Sequence, residues 1–130
     1  MQPGSQKDYI AYRISKSDEV FEDAKLLAEN KRWNSSVNRL YYSGYYLVSA
    51  LLYKNQIKAV THNGVRTEFF QHFVKPGVIS KEFGKLYANL FGWRQESDYA
   101  DFIDFDEAIV TPLITSVAEF NQQIKSLLEK

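Results

Sequence analysis

Asn38-Arg39-Leu40-Tyr41-Tyr42-Ser43-Gly44-Tyr45-Tyr46-Leu47-Val48 is the most apolar stretch of this chain. Apolar residues recur through it and its flanks at spacings of three and four, which predicts an amphipathic helix with one buried face. The predicted buried face consists of Val37, Leu40, Tyr41, Gly44, Leu47, Val48, Leu51 and Leu52. We therefore predict that this segment is the central helix of the fold, with Asn34 or Ser35 as its N-cap.

Two segments with the same periodicity lie towards the ends of the chain. The first is predicted to run from just after Ser5 to near Asn30, because Asn can adopt the left-handed conformation that closes a helix. The last begins either close to Asp106, with a bend at Pro112, or at a later residue, because proline removes a helical hydrogen bond. Its apolar face consists of Val110, Leu113, Val117, Phe120, Ile124 and Leu127.

Two shorter helices are predicted between these segments. Thr61 is the predicted N-cap of the first, which ends before Pro76-Gly77, and Ser80 is the predicted N-cap of the second. No segment shows the alternation of a β-strand. The sequence therefore predicts an all-α fold, an antiparallel up-and-down bundle of four or five helices, in one domain that spans residues 1–130.

Composition narrows the classes of function. The chain has 130 residues, of which 45% are hydrophobic and 25% charged, as in ordinary globular proteins. It has no cysteine, which excludes disulfides, a thiolate nucleophile and a cysteine zinc site. The N-terminus does not resemble a secretory signal, and the longest apolar stretch is too short to span a bilayer. We therefore expect a soluble cytoplasmic protein that has no membrane partner.

Charge is unevenly distributed although the formal net charge is zero. Residues 30–67 contain basic side chains and no acid, whereas residues 95–123 contain acidic side chains and no base. Two interpretations remain open. The two stretches face each other across the fold or across a dimer interface, which we favour, or the basic stretch lines a phosphate-binding groove.

Two arginines interrupt apolar faces. Arg39 lies within the central helix, and Arg94 continues the apolar face of the fourth helix by one turn. An arginine on a buried face must be paired, so each is expected to have a carboxylate, a carbonyl or a bound phosphate as its partner. Arg39 has no acid nearby in sequence, so its partner is remote or is not protein. Arg94 precedes Asp98 by four residues, which fits either a salt bridge that ends the helix or a phosphate site that Asp98 orients.

Several polar and aromatic side chains lie next to the predicted buried face of the central helix. Arg39, Tyr42 and Tyr46 fall on one side of the helix, where aromatic rings usually belong to a core rather than a base-stacking platform. His62 lies at a predicted helix start, where amides favour anions and an imidazole can transfer protons. A structural bond to a backbone carbonyl is the alternative role. Two isolated histidines do not make a metal site, and no motif indicates a cofactor.

Three motifs follow one another along the predicted helices: Asn38-Arg39-Leu40-Tyr41-Tyr42, Thr61-His62-Asn63-Gly64-Val65, and Arg94 followed by Asp98-Tyr99. Together they resemble the HEPN superfamily, most closely its small bacterial and archaeal stand-alone proteins. The resemblance implies a helical bundle, commonly a homodimer with a cleft near its symmetry axis. Several HEPN families are endoribonucleases, often toxins that a minimal nucleotidyltransferase controls. Their hallmark pairs an Arg with a His near the end of the fourth helix. Arg94 matches that Arg, but Tyr99, Ala100 and Asp101 occupy the expected positions of the His.

From these observations we predict a homodimeric HEPN module that binds a nucleotide, an RNA or a nucleotidyltransferase partner. One alternative is a metal-independent endoribonuclease of the toxin-antitoxin type, in which Arg94 stabilises the phosphate and His62 supplies acid and base catalysis. The other is a dimeric scaffold without catalytic activity. The candidate catalytic residues are His62, Arg94 and Asp98, and the candidate ligand-binding residues are Arg39, Tyr42, Tyr46 and Tyr99.

Overall fold

The computed structural model describes residues 3–97 and 104–130, and every regular element in these ranges is a helix. In chain order the helices are α1 (Pro3–Glu29), α2 (Trp33–Lys54), α3 (His62–Phe69), α4 (Lys81–Ser97) and α5 (Glu107–Leu128). A π-helical turn, Phe70–Val74, continues α3 directly. The predicted all-α helical bundle is confirmed.

Helix α2 is the centre of the bundle, as the periodicity predicts. It packs against α1, α3, α4 and α5. All eight residues of the predicted apolar face are buried. They belong to one buried core with Phe69, Tyr87 and Phe120, whose side chains are at most 1% exposed. Since full burial of one large apolar side chain contributes roughly 1.5–3 kcal/mol, this single face supplies much of the driving force for folding.

Three of the helix starts follow the expected chemistry. The Gly64 amide donates to Thr61 Oγ1 at 2.9 Å, and the Phe83 amide donates to Ser80 Oγ at 3.1 Å, so both predicted N-caps are confirmed. Asp106 accepts from the Ile109 amide at 3.1 Å and starts α5, with Pro112 inside the helix. Of the two alternatives for α5, the start next to Asp106 is therefore correct.

Two predicted caps are wrong. Helix α2 begins two or three residues earlier than expected, after Arg32, which makes no side-chain cap. Asn34 lies inside that first turn, and its Oδ1 accepts from the Phe105 amide at 3.0 Å instead, which fixes the segment before α5. At the end of α1 it is Lys31, with φ of 58°, that adopts the left-handed conformation rather than Asn30. The Asn30 side chain donates to the Leu26 carbonyl at 2.9 Å.

A buried polar network joins three helices. Ser17 of α1 donates to the Ser43 carbonyl at 2.7 Å, and Asn121 of α5 donates to Ser43 Oγ at 3.1 Å. At the far end of α2, Lys54 Nζ donates to the Leu128 carbonyl at 2.8 Å. This places its positive charge at the C-terminus of α5, where the negative end of the helix dipole stabilises a cation. These bonds fix the register of α1 and α5 on α2, and with it the placement of the aromatic side chains of α2.

The two glycines of α4 should respond in opposite directions to alanine. A Cβ on Gly84 would lie 2.8 Å from Val74 Cγ1 and 3.2 Å from Val74 Cγ2. Because valine is stiff, we expect Gly84→Ala to lower the free energy of unfolding by about 1–3 kcal/mol. A Cβ on Gly92 would meet no described atom within 4 Å, so Gly92→Ala should raise it by roughly 0.5–1 kcal/mol. Urea denaturation measures both, and a change of the same sign would contradict the packing of α4 on Val74.

Within the described ranges, no helix combines the length and the apolar character that a membrane span requires.

Candidate functional site

A cluster of aromatic and basic side chains forms where α2, α3 and α4 meet. His62 is the first residue of α3, and its Nδ1 is 2.9 Å from the hydroxyl oxygen of Tyr41. The ring of Tyr45 lies against the imidazole with 4.4 Å between centroids. Tyr42 approaches at 5.7 Å with its plane nearly perpendicular. Three tyrosines from two successive turns of α2 therefore surround His62, which the Thr61 cap places beside them at the start of α3.

Arg94 joins this cluster from α4. Its Nε donates to the hydroxyl oxygen of Tyr42 at 3.3 Å, and its guanidinium carbon lies 5.6 Å from the ring centroid of Tyr41. The side chain is half-buried. A hydroxyl and an aromatic face thus hold the positive charge in a fixed place next to His62. We call Tyr41, Tyr42, Tyr45, His62 and Arg94 the His62 cluster.

Burial sets the protonation states in the cluster. It lowers the pKa of His62 below 6.5, and the charge of Arg94 lowers it further. Burial also raises the pKa of Tyr41 to about 12, so its hydroxyl stays neutral. The pKa of the buried Tyr87 hydroxyl, which lies beneath Tyr41, is likewise raised by burial. At neutral pH the cluster therefore presents a neutral imidazole, whose Nδ1 is engaged by Tyr41, beside a permanent cation.

His62 should make the stability of the protein depend on pH. Because its folded-state pKa is lower than the unfolded value of 6.5, the unfolded chain binds more protons between the two values. Stability is therefore fully present above about pH 6.5 and falls as the pH drops towards the folded-state pKa. We expect His62→Gln to reduce this loss in urea denaturation compared at neutral and acidic pH. His72→Gln is the matched control and should retain the dependence that belongs to His62. An unchanged pH profile in His62→Gln would contradict the assignment.

The expectation that Arg39 is buried is wrong. Arg39 is exposed, and its Nη1 donates to Asn38 Oδ1 at 2.8 Å. Arg39 precedes the buried Leu40 by one residue, which corresponds to a rotation of about 100° around the helix. This rotation turns the Arg39 side chain out of the core. Arg39 lines an open groove of about 510 Å³ between α1 and α2, together with Tyr42 and Tyr46. The acidic side chains of this groove, Glu19 and Asp23, belong to α1 and not to the acidic stretch of residues 95–123.

The candidate residues fall into two adjoining groups. Tyr42, His62 and Arg94 lie in the His62 cluster, whereas Arg39, Tyr42 and Tyr46 lie in the α1–α2 groove. Tyr42 belongs to both groups and joins the two surfaces. Asp98 and Tyr99 lie outside the described residues.

The basic and acidic stretches do not pair in the part of the chain that the structure describes. The ion pairs there join Lys16 to Glu19, Lys25 to Glu22, Lys125 to Asp18 and His72 to Glu68. None of them connects a base of residues 30–67 with an acid of residues 104–123.

Sequence reasoning missed the roles of Tyr41 and Tyr45. The sequence predicts Tyr41 only as part of the buried face, where it is indeed fully buried, and it does not mark Tyr45 as a site residue. The requirement that a buried hydroxyl find a partner was the signal available, and the partners are His62 for Tyr41 and Arg94 for Tyr42. Among the described residues, no group of three histidine or carboxylate side chains is close enough together to hold a metal ion.

Comparison with known proteins agrees with this architecture. Residues 10–127 match the family model of the HEPN domain. A UPF0332 protein of Thermotoga maritima is 39% identical over 120 residues, which cover 92% of this chain and 91% of that protein. A protein of Methanocaldococcus jannaschii that carries the name "Putative toxin" is 27% identical over 124 residues, 95% of this chain and 92% of its own length. A second protein of that organism with the same designation is 30% identical over 86 residues, 66% of this chain and 58% of its own.

Proposed function

This chain belongs to the HEPN domain family, and from that premise we propose that it binds single-stranded RNA, with a phosphodiester at the His62 cluster. The observation that carries the proposal is the position of Arg94, held by the Tyr42 hydroxyl and the Tyr41 ring beside His62. A guanidinium is planar and always charged, so it suits a phosphate whose oxygens accept in fixed directions. The neutral imidazole adds a hydrogen-bonding group without adding charge.

The α1–α2 groove extends this site beyond one nucleotide. Arg39 and the rings of Tyr42 and Tyr46 line it, and aromatic rings next to basic side chains are the usual elements of single-strand binding. Tyr42 connects the groove with Arg94, so one strand can contact both surfaces. The extent of this surface favours RNA over a free nucleotide as the ligand. The relatives named as toxins support an RNA target as well, since toxins of the HEPN class commonly act on RNA.

Titration of a fluorescently labelled single-stranded RNA into the purified protein tests the proposal. We expect saturable binding that weakens as salt rises, because cationic contacts to phosphates release counterions. Competition by a mononucleotide should be much weaker than competition by the unlabelled oligomer. Absence of binding at low salt, or equal competition by a mononucleotide, would contradict the RNA proposal.

A metal-independent endoribonuclease is the second candidate function, and the placement of His62 next to Arg94 favours it. In this reaction the ribose 2′-oxygen forms a bond to phosphorus as the bond to the 5′-oxygen breaks. His62 would take the 2′-hydroxyl proton, and a water molecule would protonate the leaving 5′-oxygen and recover a proton from His62, which yields a 2′,3′-cyclic phosphate and a 5′-hydroxyl. Arg94 would stabilise the charge that develops on the phosphate.

Incubation of labelled RNA with the protein in the presence of a chelator distinguishes binding from cleavage. Products with a 2′,3′-cyclic phosphate that disappear in both His62→Ala and Arg94→Ala would support the enzyme. No cleavage, or cleavage that survives in the double variant, would remove it and leave RNA binding as the function.

A homodimer and a nucleotidyltransferase partner are part of the same proposal, and family membership supports both. Light scattering over a concentration series tests the first. A monomer at every concentration would contradict the dimer, and failure of a co-expressed minimal nucleotidyltransferase to co-purify would contradict the partner.

A further inference from the structure

A second pocket, which Tyr45 helps to line, lies between α1, α2 and the segment that leads to α3. Its volume is about 430 Å³, and its lining includes Tyr9, Arg13, Tyr45, Tyr53 and Lys58. We propose that this pocket binds the base and the phosphate of the RNA nucleotide adjacent to the one held at the His62 cluster. The inference rests on the proposed function, which it deepens by adding a second nucleotide subsite that the sequence motifs do not mark.

The charge of the pocket fits an anionic ligand. Among the described residues of its lining, the charged side chains are Arg13 and Lys58, and none is a carboxylate. The α1–α2 groove differs in this respect, since Glu19 and Asp23 stand there beside its cations. A phosphate is therefore drawn more strongly to the pocket of Arg13 and Lys58 than to the middle of that groove.

Aromatic rings hold the cation in place and form the wall of the pocket. Arg13 Nε donates to the hydroxyl oxygen of Tyr9 at 2.8 Å, and its guanidinium carbon lies 5.0 Å from the Tyr9 ring and 5.4 Å from the Tyr46 ring. The rings of Tyr9 and Tyr53 are 4.4 Å apart at 59°. This arrangement repeats that of Arg94 with Tyr42 and Tyr41, and it places a fixed cation beside π-faces on which a base can stack.

The pocket adjoins the proposed RNA site through two side chains of α2, Tyr45 and Tyr46. Tyr45 lines the pocket, and its ring lies 4.4 Å from the imidazole of His62. Tyr46 likewise links Arg13 to the α1–α2 groove. A strand that places one phosphodiester at His62 and Arg94 therefore has its neighbouring nucleotide at this pocket. The pocket adjoins the His62 cluster, and its described lining contains no acid. Both observations favour RNA over a protein segment as the occupant.

The loop before α3 supplies the outer wall. Gln56 adopts a positive φ of 58°, which turns the chain after α2 and brings Lys58, Ala59 and Val60 to the rim. Lys58 is exposed, so its substitution does not disturb the core. Lys85, an exposed lysine of α4 outside this lining, provides a matched control with the same charge change.

The test compares Lys58→Glu with Lys85→Glu in the full chain, with a labelled single-stranded uridine oligomer as the probe. We expect Lys58→Glu to weaken binding about tenfold or more at low salt, because a cation that contacts phosphate becomes an anion, and Lys85→Glu to weaken it much less. Ultraviolet crosslinking of a 4-thiouridine oligomer, mapped by mass spectrometry, should label Tyr9, Tyr53 or Lys58.

The outcomes separate this inference from the proposed function. If Arg94→Ala weakens RNA binding while Lys58→Glu and Lys85→Glu behave alike, or if crosslinks fall only on Tyr42 and Tyr46, the second subsite is wrong and the RNA site stands. If Lys58→Glu changes the sedimentation of the protein but not its RNA affinity, a second copy occupies the pocket and the inference is overturned. Absence of RNA binding by the unmodified protein overturns both.

Discussion

Arg94→Ala should lower the affinity for single-stranded RNA by about 10- to 100-fold, because hydrogen bonds to a charged group are worth roughly 1.5–3 kcal/mol. The guanidinium is already oriented by Tyr42 and Tyr41, so little entropy is lost when a phosphate binds to it. Fluorescence polarisation with labelled RNA measures the effect. The salt dependence should also decrease, since one cationic contact is removed.

Two further variants make the Arg94 result specific. Arg32→Ala removes an exposed arginine that precedes α2, and it should change RNA affinity little. Arg94→Lys keeps the charge but loses the planar set of donors, so its affinity should lie between those of the wild type and Arg94→Ala. Thermal denaturation shows whether each variant is folded. Equal affinities for the Arg94→Ala and Arg32→Ala variants, with both folded, would mean that the cluster is structural.

The fold could be predicted from the sequence because the spacing of apolar residues along each helix determines which face is buried. The apolar face of α2 can only be that of a helix, since every third or fourth residue from Val37 to Leu52 is apolar or small. All of these residues are buried. The caps at Thr61 and Ser80 were predictable for a similar reason, because each acts on a backbone amide three residues away. Asn34 and Asn30 were not, since their side chains bond to groups that tertiary packing or the end of the helix provides.

The candidate site was predictable in part. The sequence marks His62 by its position at a helix start and Arg94 as a charge that continues an apolar face, and the structure places both beside α2. The burial of Arg39 was predicted wrongly because apolar neighbours in sequence do not decide on which side of a helix a residue lies. The pocket of Arg13 and Lys58 could not be found at all. It joins the beginning of α1 to the loop before α3, and no spacing within one segment reports such a contact.

The tyrosines of α2 serve the core and the site together, and Tyr41 shows this most clearly. Tyr41 has no exposed surface, and its ring lies within 6.3 Å of the rings of Tyr42, Tyr45, His62, Tyr87 and Phe91. We expect Tyr41→Ala to lower the free energy of unfolding by about 3–5 kcal/mol, because it leaves a cavity among rings that cannot close it. That is a large part of the roughly 5–15 kcal/mol that stabilises an ordinary domain.

Tyr12→Ala is the matched control, since Tyr12 is 58% exposed, and it should change stability by no more than about 0.5 kcal/mol. Tyr41→Phe then separates packing from hydrogen bonding. It keeps the ring and removes only the hydroxyl that holds His62 Nδ1, so its cost should be nearer 1 kcal/mol. If RNA affinity falls in Tyr41→Phe while the protein stays folded, the hydroxyl orients His62 for the ligand. If Tyr41→Ala destabilises the protein no more than Tyr12→Ala does, Tyr41 is not a core residue and the central position of α2 is wrong.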